Sequence, residues 1–240
     1  MTKKFTLTEL VILIGILLLF AGVMPQLTAA SRREGRAANC VNNLKACITA
    51  HLLYADDHKG FAVVLLNDPG YSRDVKFRHY WAAHYTGLGY FPQYSPQLSC
   101  PDFGKTGKIS NYSGYLHTYG TVASNKSRNR LNTVLVNKQG TFIKTRLIES
   151  SDSFIIAGDS YKPEYKKEWT VIGGHPGSGN NGCFQLRHSG RANAGFADLH
   201  VAALTLDGIT ENLADSGQLP LAELPGICDG AGILISFTAH

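Results

Sequence analysis

The chain has 240 residues, of which 44% are hydrophobic and 17% charged, and a formal net charge of +5. That length supplies one globular core beside an N-terminal segment and calls for no second domain. The basic residues are scattered, and two of them, Lys3 and Lys4, lie at the extreme N-terminus, so the charge gives no footprint for nucleic acid.

At the N-terminus, Lys3 and Lys4 precede an unbroken apolar run from Leu10 to Met24, with Glu9 at its mouth. A helix from Leu7 to Met24, rising ~1.5 Å per residue, nearly matches a bilayer core of ~30 Å and predicts membrane contact. An ionised carboxylate at the edge of hydrocarbon is costly unless paired, which makes Glu9 a functional candidate. The order Lys4-Phe5-Thr6-Leu7-Thr8-Glu9-Leu10, followed by the Val/Ile/Leu run and Pro25, resembles the N-terminus of type IV pilins and type II secretion pseudopilins. That resemblance implies cleavage between Lys4 and Phe5 by a prepilin peptidase and methylation of Phe5. It also implies that Glu9 is an assembly acid paired with the α-ammonium of a neighbouring subunit. Lys4 stands where the family has Gly, and Thr8 where it has an apolar residue. The competing reading of the segment is an ordinary signal peptide cut near Thr28-Ala29-Ala30-Ser31.

Ala37, Val41, Leu44, Ile48, Leu52 and Ala55 recur at spacings of three and four, which extends the helix to about Asp57 with an apolar stripe toward a domain. Gly60 is a natural terminator. The five cysteines, Cys40, Cys47, Cys100, Cys183 and Cys228, are odd in number and leave at least one unpaired within the chain. Cys40 and Cys47 sit two helical turns apart, ~10 Å, beyond the ~7 Å reach of a disulfide. The phrase Cys40-Val41-Asn42-Asn43-Leu44-Lys45, with Tyr54-Ala55-Asp56-Asp57 and Cys100-Pro101 after it, resembles one branch of prepilin-like proteins. From that resemblance comes the expectation of a Cys40–Cys100 disulfide; two buried free thiols are the alternative.

The aromatic stretch from Val75 to Tyr94 is read as core, with a sugar or aromatic ligand site as its rival. Strands are predicted at 133–136, 141–144 and 153–157, the first two joined as a hairpin by Asn137-Lys138-Gln139-Gly140. The glycine-rich run 173–182 lacks the Gly-Lys-Ser/Thr of a phosphate loop and is read as a plain loop. Arg187-His188-Ser189-Gly190-Arg191, followed by Phe196-Ala197-Asp198-Leu199-His200-Val201, resembles the C-terminal signature of the same prepilin-like branch. Leu199 replaces the family's Gly, and since a branched residue resists positive φ, a different turn is expected. Asp198 and His200 fall on one strand face and, with His188, are the metal-ligand candidates; a structural role for all three is preferred. No cofactor is expected otherwise, apart from calcium, which some major pseudopilins bind; Asp56, Asp57, Asp152 and Asp159 are the carboxylates available for it. Cys228 and Cys183 form a second candidate pair.

The expected fold is α+β: a leader of residues 1–4, a long N-terminal α-helix over 5–57 whose first half is hydrophobic, and a mainly antiparallel β-sheet domain of pilin type over 58–240. The resemblance implies no enzyme but a structural subunit of a pilus or secretion pseudopilus filament. Its partners would be copies of itself, prepilin peptidase and an assembly platform in the bacterial inner membrane, with the domain outside the cytoplasm. The alternative is an exported or anchored glycan-binding module.

Overall fold

The computed structural model describes residues 6–66, 80–103, 115, 117–122, 133–173, 182–216, 218 and 226–235, without the side chains of residues 20–30, 33 and 136. The leader, with Lys4 and Phe5, lies outside the described residues, as does most of the glycine-rich run. The chain divides into two units, residues 1–38 and 39–240.

Helix α1 (Leu7–Asp57) opens the chain. Its start is fixed locally by a capping box. Thr6 Oγ1 accepts from Glu9 N at 3.3 Å, and the Glu9 carboxylate accepts in return from Thr6 N at 2.8 Å. In the second unit the α1 stripe of Cys40, Leu44, Cys47, Ile48 and Ala55 is buried in the main core. Gly60, at φ 88°, ends the helix by donating its N–H back to Ala55 O, the left-handed stop that favours glycine.

The strands and further helices after α1 are β1 (Phe61–Leu66), α2 (Trp81–Gly87), β2 (Gly120–Val122), β3 (Val134–Asn137), β4 (Gly140–Lys144), β5 (Ile155–Gly158), β6 (Ser160–Tyr161) and β7 (Val171–Ile172). They continue with β8 (Cys183–Gln185), β9 (Ala192–Phe196), β10 (Val201–Leu204), α3 (Leu206–Asp215), β11 (Ile227–Cys228) and β12 (Leu234–Ile235). Among the described residues these strands form three sheets, ordered β1-β4-β3, β10-β9-β5-β2-β7 and β12-β11-β8-β6. The β3–β4 hairpin turns where Asn137 Oδ1 accepts from Gln139 N at 2.8 Å and Gly140 N at 3.0 Å, an Asx turn. The aromatic stretch supplies α2, whose Trp81 and Tyr85 are fully buried.

The molecule is thus α+β, but the expected pilin-type architecture needs correction. Instead of one mainly antiparallel sheet, the described residues form three small ones, and two of them contain parallel pairs, β2 with β7 and β8 with β11. The hydrophobic first half of the helix is described at side-chain level only from Leu7 to Leu19, and among the described residues no helix is long and apolar enough to cross a membrane. The membrane span is corrected accordingly, and with it the inner-membrane location and the pilin and secretion assignments that depended on it. Strand β10 stops at Leu204 because Thr205 caps α3, accepting from Gly208 N at 3.3 Å and turning Ile209 and Leu213 into the core.

Candidate metal centre

Two changes of sheet build the site. The chain leaves the five-stranded sheet at the end of β5 and enters the four-stranded one at β6, and Asp159 is the residue between them. It leaves that sheet after β8 and returns at β9, and Arg187 to Arg191 make the crossing. Strand pairing holds both crossings side by side: Asp159 N donates to Asn193 O at 2.9 Å, and Gln185 N donates to Asp159 O at 3.0 Å. His188 and Arg191 exchange backbone hydrogen bonds, closing the second turn with Ser189 and Gly190 at positive φ. Cys40 arrives from α1, and Cys100 from the short helical turn that ends at Leu98.

These segments bring Cys40, Cys100, Asp159 and His188 together with one ligand atom from each within 4.8 Å of all the others. His188 Nε2 lies 3.1 Å from Asp159 Oδ2 and 3.5 Å from Cys100 Sγ, and Cys40 Sγ lies 3.5 Å from Asp159 Oδ1. Around a tetrahedral zinc ion with bonds of ~2.0–2.3 Å, neighbouring ligand atoms stand about 3.3–3.8 Å apart, so the group needs little rearrangement to hold one. Both cysteines are thiols, and with Asp159 they are essentially inaccessible.

Each ligand is oriented from behind, the pattern that distinguishes a built centre from a chance cluster. His188 Nδ1 is 3.1 Å from Asp102 Oδ2. Asp159 Oδ2 accepts from Asn193 N at 2.7 Å, and Cys40 Sγ accepts from Asn193 Nδ2 at 3.3 Å and Tyr119 Oη at 3.2 Å. Arg187 balances the negative charge: its Nη1 is 2.7 Å from Glu168 Oε1 and 3.9 Å from Asp159 Oδ1, and its Nη2 donates to Ser160 O. Glu168 in turn accepts from Cys100 N.

The electrostatics follow from this packing. Burial alone would raise the Asp159 carboxyl, but Arg187 and His188 overcome it and hold it below the usual carboxylate range. Burial likewise opposes the charged imidazole of His188, yet Asp159 and Cys100 push it up to about 10. The hydrogen bond from Cys40, aided by His188, brings the Cys100 thiol down to about 6 against burial. The Cys40 thiol is driven up by that same bond, by burial and by Asp159. These directions favour the charged forms of Cys100 and His188 and keep the proton on Cys40.

Of the residues singled out in the sequence, His188 and both cysteines of the expected disulfide belong to this centre, and Asp159, named there only as a calcium carboxylate, completes it. Asp198 and His200 pair with each other instead, His200 Nδ1 at 2.5 Å from Asp198 Oδ1, on the exposed β9–β10 turn. Glu9 is exposed at the first turn of α1 and bonded to Thr6. Arg187, Glu168, Asp102 and Asn193 were not anticipated; the Arg187-His188 and Cys100-Pro101-Asp102 neighbourhoods were the available signals. Compared with protein-family models, with curated proteins and with solved structures, the chain matches none of them.

Proposed function

We propose that this is a structural, non-catalytic protein whose domain is fastened by one transition-metal ion, zinc by donor set, held between Cys40, Cys100, Asp159 and His188. The observation that carries this reading is the convergence of four ligand atoms, three of them on fully buried residues. Two thiolates, an imidazole and one carboxylate suit a borderline-soft tetrahedral ion, whereas calcium demands a shell of oxygens. Four protein ligands, three of them fully buried, fill a tetrahedral shell and leave no open position for substrate, the mark of a structural rather than a catalytic site. The same burial weighs against using Cys100, His188 and Asp102 as a nucleophilic set, since Cys100 is only 1% exposed.

Elemental analysis of the purified protein tests the proposal. One zinc per chain, lost in Cys100→Ser and in His188→Ala, is the expected result. A metal-free folded protein that takes up no zinc, or a Cys40–Cys100 disulfide found by mass, overturns it.

A second reading concerns the first unit, where Leu7, Val11, Ile12, Leu17, Leu18 and Leu19 are each more than half exposed. Apolar residues around the whole circumference of a helix need cover on several sides, and copies of the same helix supply it. Self-association through α1 is therefore proposed as the way the subunit is used. Sedimentation of the full chain and of a chain lacking residues 7–19 tests it: an oligomer that dissolves on truncation supports it, and a monomer in both sinks it.

A further inference from the structure

A separate pair of cysteines lies in the four-stranded sheet. Strands β8 and β11 run parallel with Phe184 opposite Ile227 and Gln185 opposite Cys228, which sets Cys183 and Cys228 diagonally on neighbouring strands. Phe184 N donates to Gly226 O at 3.2 Å and Leu186 N to Cys228 O at 2.9 Å, so the two backbones are held in register on either side of the pair. Both cysteines are fully buried, and their cluster contains Tyr161 with Phe103 packed against it.

Their sulfurs are 2.6 Å apart. Carbon atoms come to rest against one another at ~3.5–4.0 Å, and sulfur is the larger atom, so two intact thiols do not occupy these positions without parting. The surroundings give them little room to part: Cys183 Sγ also sits 3.2 Å from Tyr161 O, and a Cβ placed on Gly182, the preceding residue, would meet Tyr161 O at 2.8 Å. The strands being joined have need of a fastening. β11 and β12 are two residues long, and β11 connects β12 to the rest of its sheet.

We propose that Cys183 and Cys228 form a disulfide in the mature protein, made by thiol–disulfide exchange with an external disulfide compound, and that this bond pins the C-terminal strands to β8. In the first step the thiolate of one cysteine attacks a sulfur of the external disulfide, forming a mixed disulfide and releasing one thiol of the reagent. In the second the other cysteine attacks the protein sulfur of that mixed disulfide and expels the second thiol. The protein loses two protons and two electrons, and the reagent, reduced, carries them away. Because the folded pair is enclosed, exchange precedes the docking of β11. The inference is independent of the metal centre, which uses Cys40 and Cys100.

Peptide mapping tests it without any variant. The full-length protein is unfolded, refolded and equilibrated in a glutathione/glutathione-disulfide buffer, denatured in acid with an alkylating reagent, and digested with trypsin without reduction. Cleavage at lysine and arginine puts Cys183 in peptide 168–187 and Cys228 in peptide 192–240, apart from the peptides of Cys40, Cys47 and Cys100. The expected product is 168–187 joined to 192–240, lighter than the two free peptides by two hydrogens, and separated by reduction. Both cysteines alkylated after equilibration, or either joined to a different cysteine, overturns the assignment. Hydrogen exchange gives a second readout: reduction is expected to speed exchange across 226–235, and unchanged protection there removes the pinning role.

Discussion

Gly195 of β9 lies against Ile48 of α1 so closely that a methyl group on it would stand 2.7 Å from Ile48 Cγ2. The second part of α1 therefore rests on the sheet where the sheet has no side chain. Gly195→Ala forces helix and strand apart, and overpacking of this kind costs about 1–3 kcal/mol. A lowered denaturant midpoint at unchanged slope is the expected outcome; wild-type stability would mean the contact is slack.

Arg187 is the cation that faces Asp159 and Glu168 inside the domain. Removing one member of a buried charge group strands the others, at about 3–5 kcal/mol. Arg187→Met is expected to lose that much in chemical denaturation. Arg187→Lys should recover only part, since an ammonium lacks the planar fork that serves Glu168 and Ser160 O together.

His51 provides an acid-sensitive element outside the metal centre. Its ring is buried between Tyr85 Oη, 3.0 Å from Nδ1, and Thr121 Oγ1, 3.3 Å from Nε2, and burial pushes its pKa down to about 3 from 6.5. A depressed pKa means that the unfolded chain binds the proton more readily, so the contribution is whole above pH ~6.5 and is lost as pH falls toward 3, by up to ~1.4 kcal/mol per unit. Unfolding free energies at pH 7 and pH 4.5 measure it. His51→Gln, which does not titrate, should flatten that slope, and an unchanged slope would assign the acid lability elsewhere.

Asp102 and Asp198 separate two readings of the histidine and aspartate residues. Asp102 backs His188 within the centre, while Asp198 contacts His200 on an exposed turn. Asp102→Asn is expected to weaken zinc binding by about 10–100-fold in a competition titration, and Asp198→Ala to leave it unchanged. The reverse order of effects would move the metal to the β9–β10 turn.

Much of the local structure was legible because it depends on neighbours in sequence. The three-and-four spacing from Ala37 to Ala55 marked the α1 stripe, and Asn137 to Gly140 marked the β3–β4 turn. At Glu9 the apolar surroundings drew attention, while the Thr6-to-Glu9 capping box, a three-residue relation, passed unnoticed. Leu199 takes φ 74° in a turn expected to avoid it, since Asp198 Oδ1 accepts from His200 N at 3.0 Å and fixes the corner despite the branched side chain. The centre itself was half legible. His188, Cys40 and Cys100 stood in recognisable phrases, but Asp159 acquires its role only from two sheet crossings that meet in space, and no spacing along the chain encodes their meeting.

The order in which the four ligands occur in the chain bears on how the protein is made. A ribosome working toward the C-terminus delivers Cys40 and Cys100 well before Asp159, and His188 last. During that interval the nascent domain carries both ligand thiols and neither of the groups that would later share an ion with them. Contacts between segments so far apart in sequence also form late, because long loops must close first. Synthesis thus passes through a stage in which premature oxidation competes with metal capture, and the fate of Cys40 and Cys100 turns on which reaches them first.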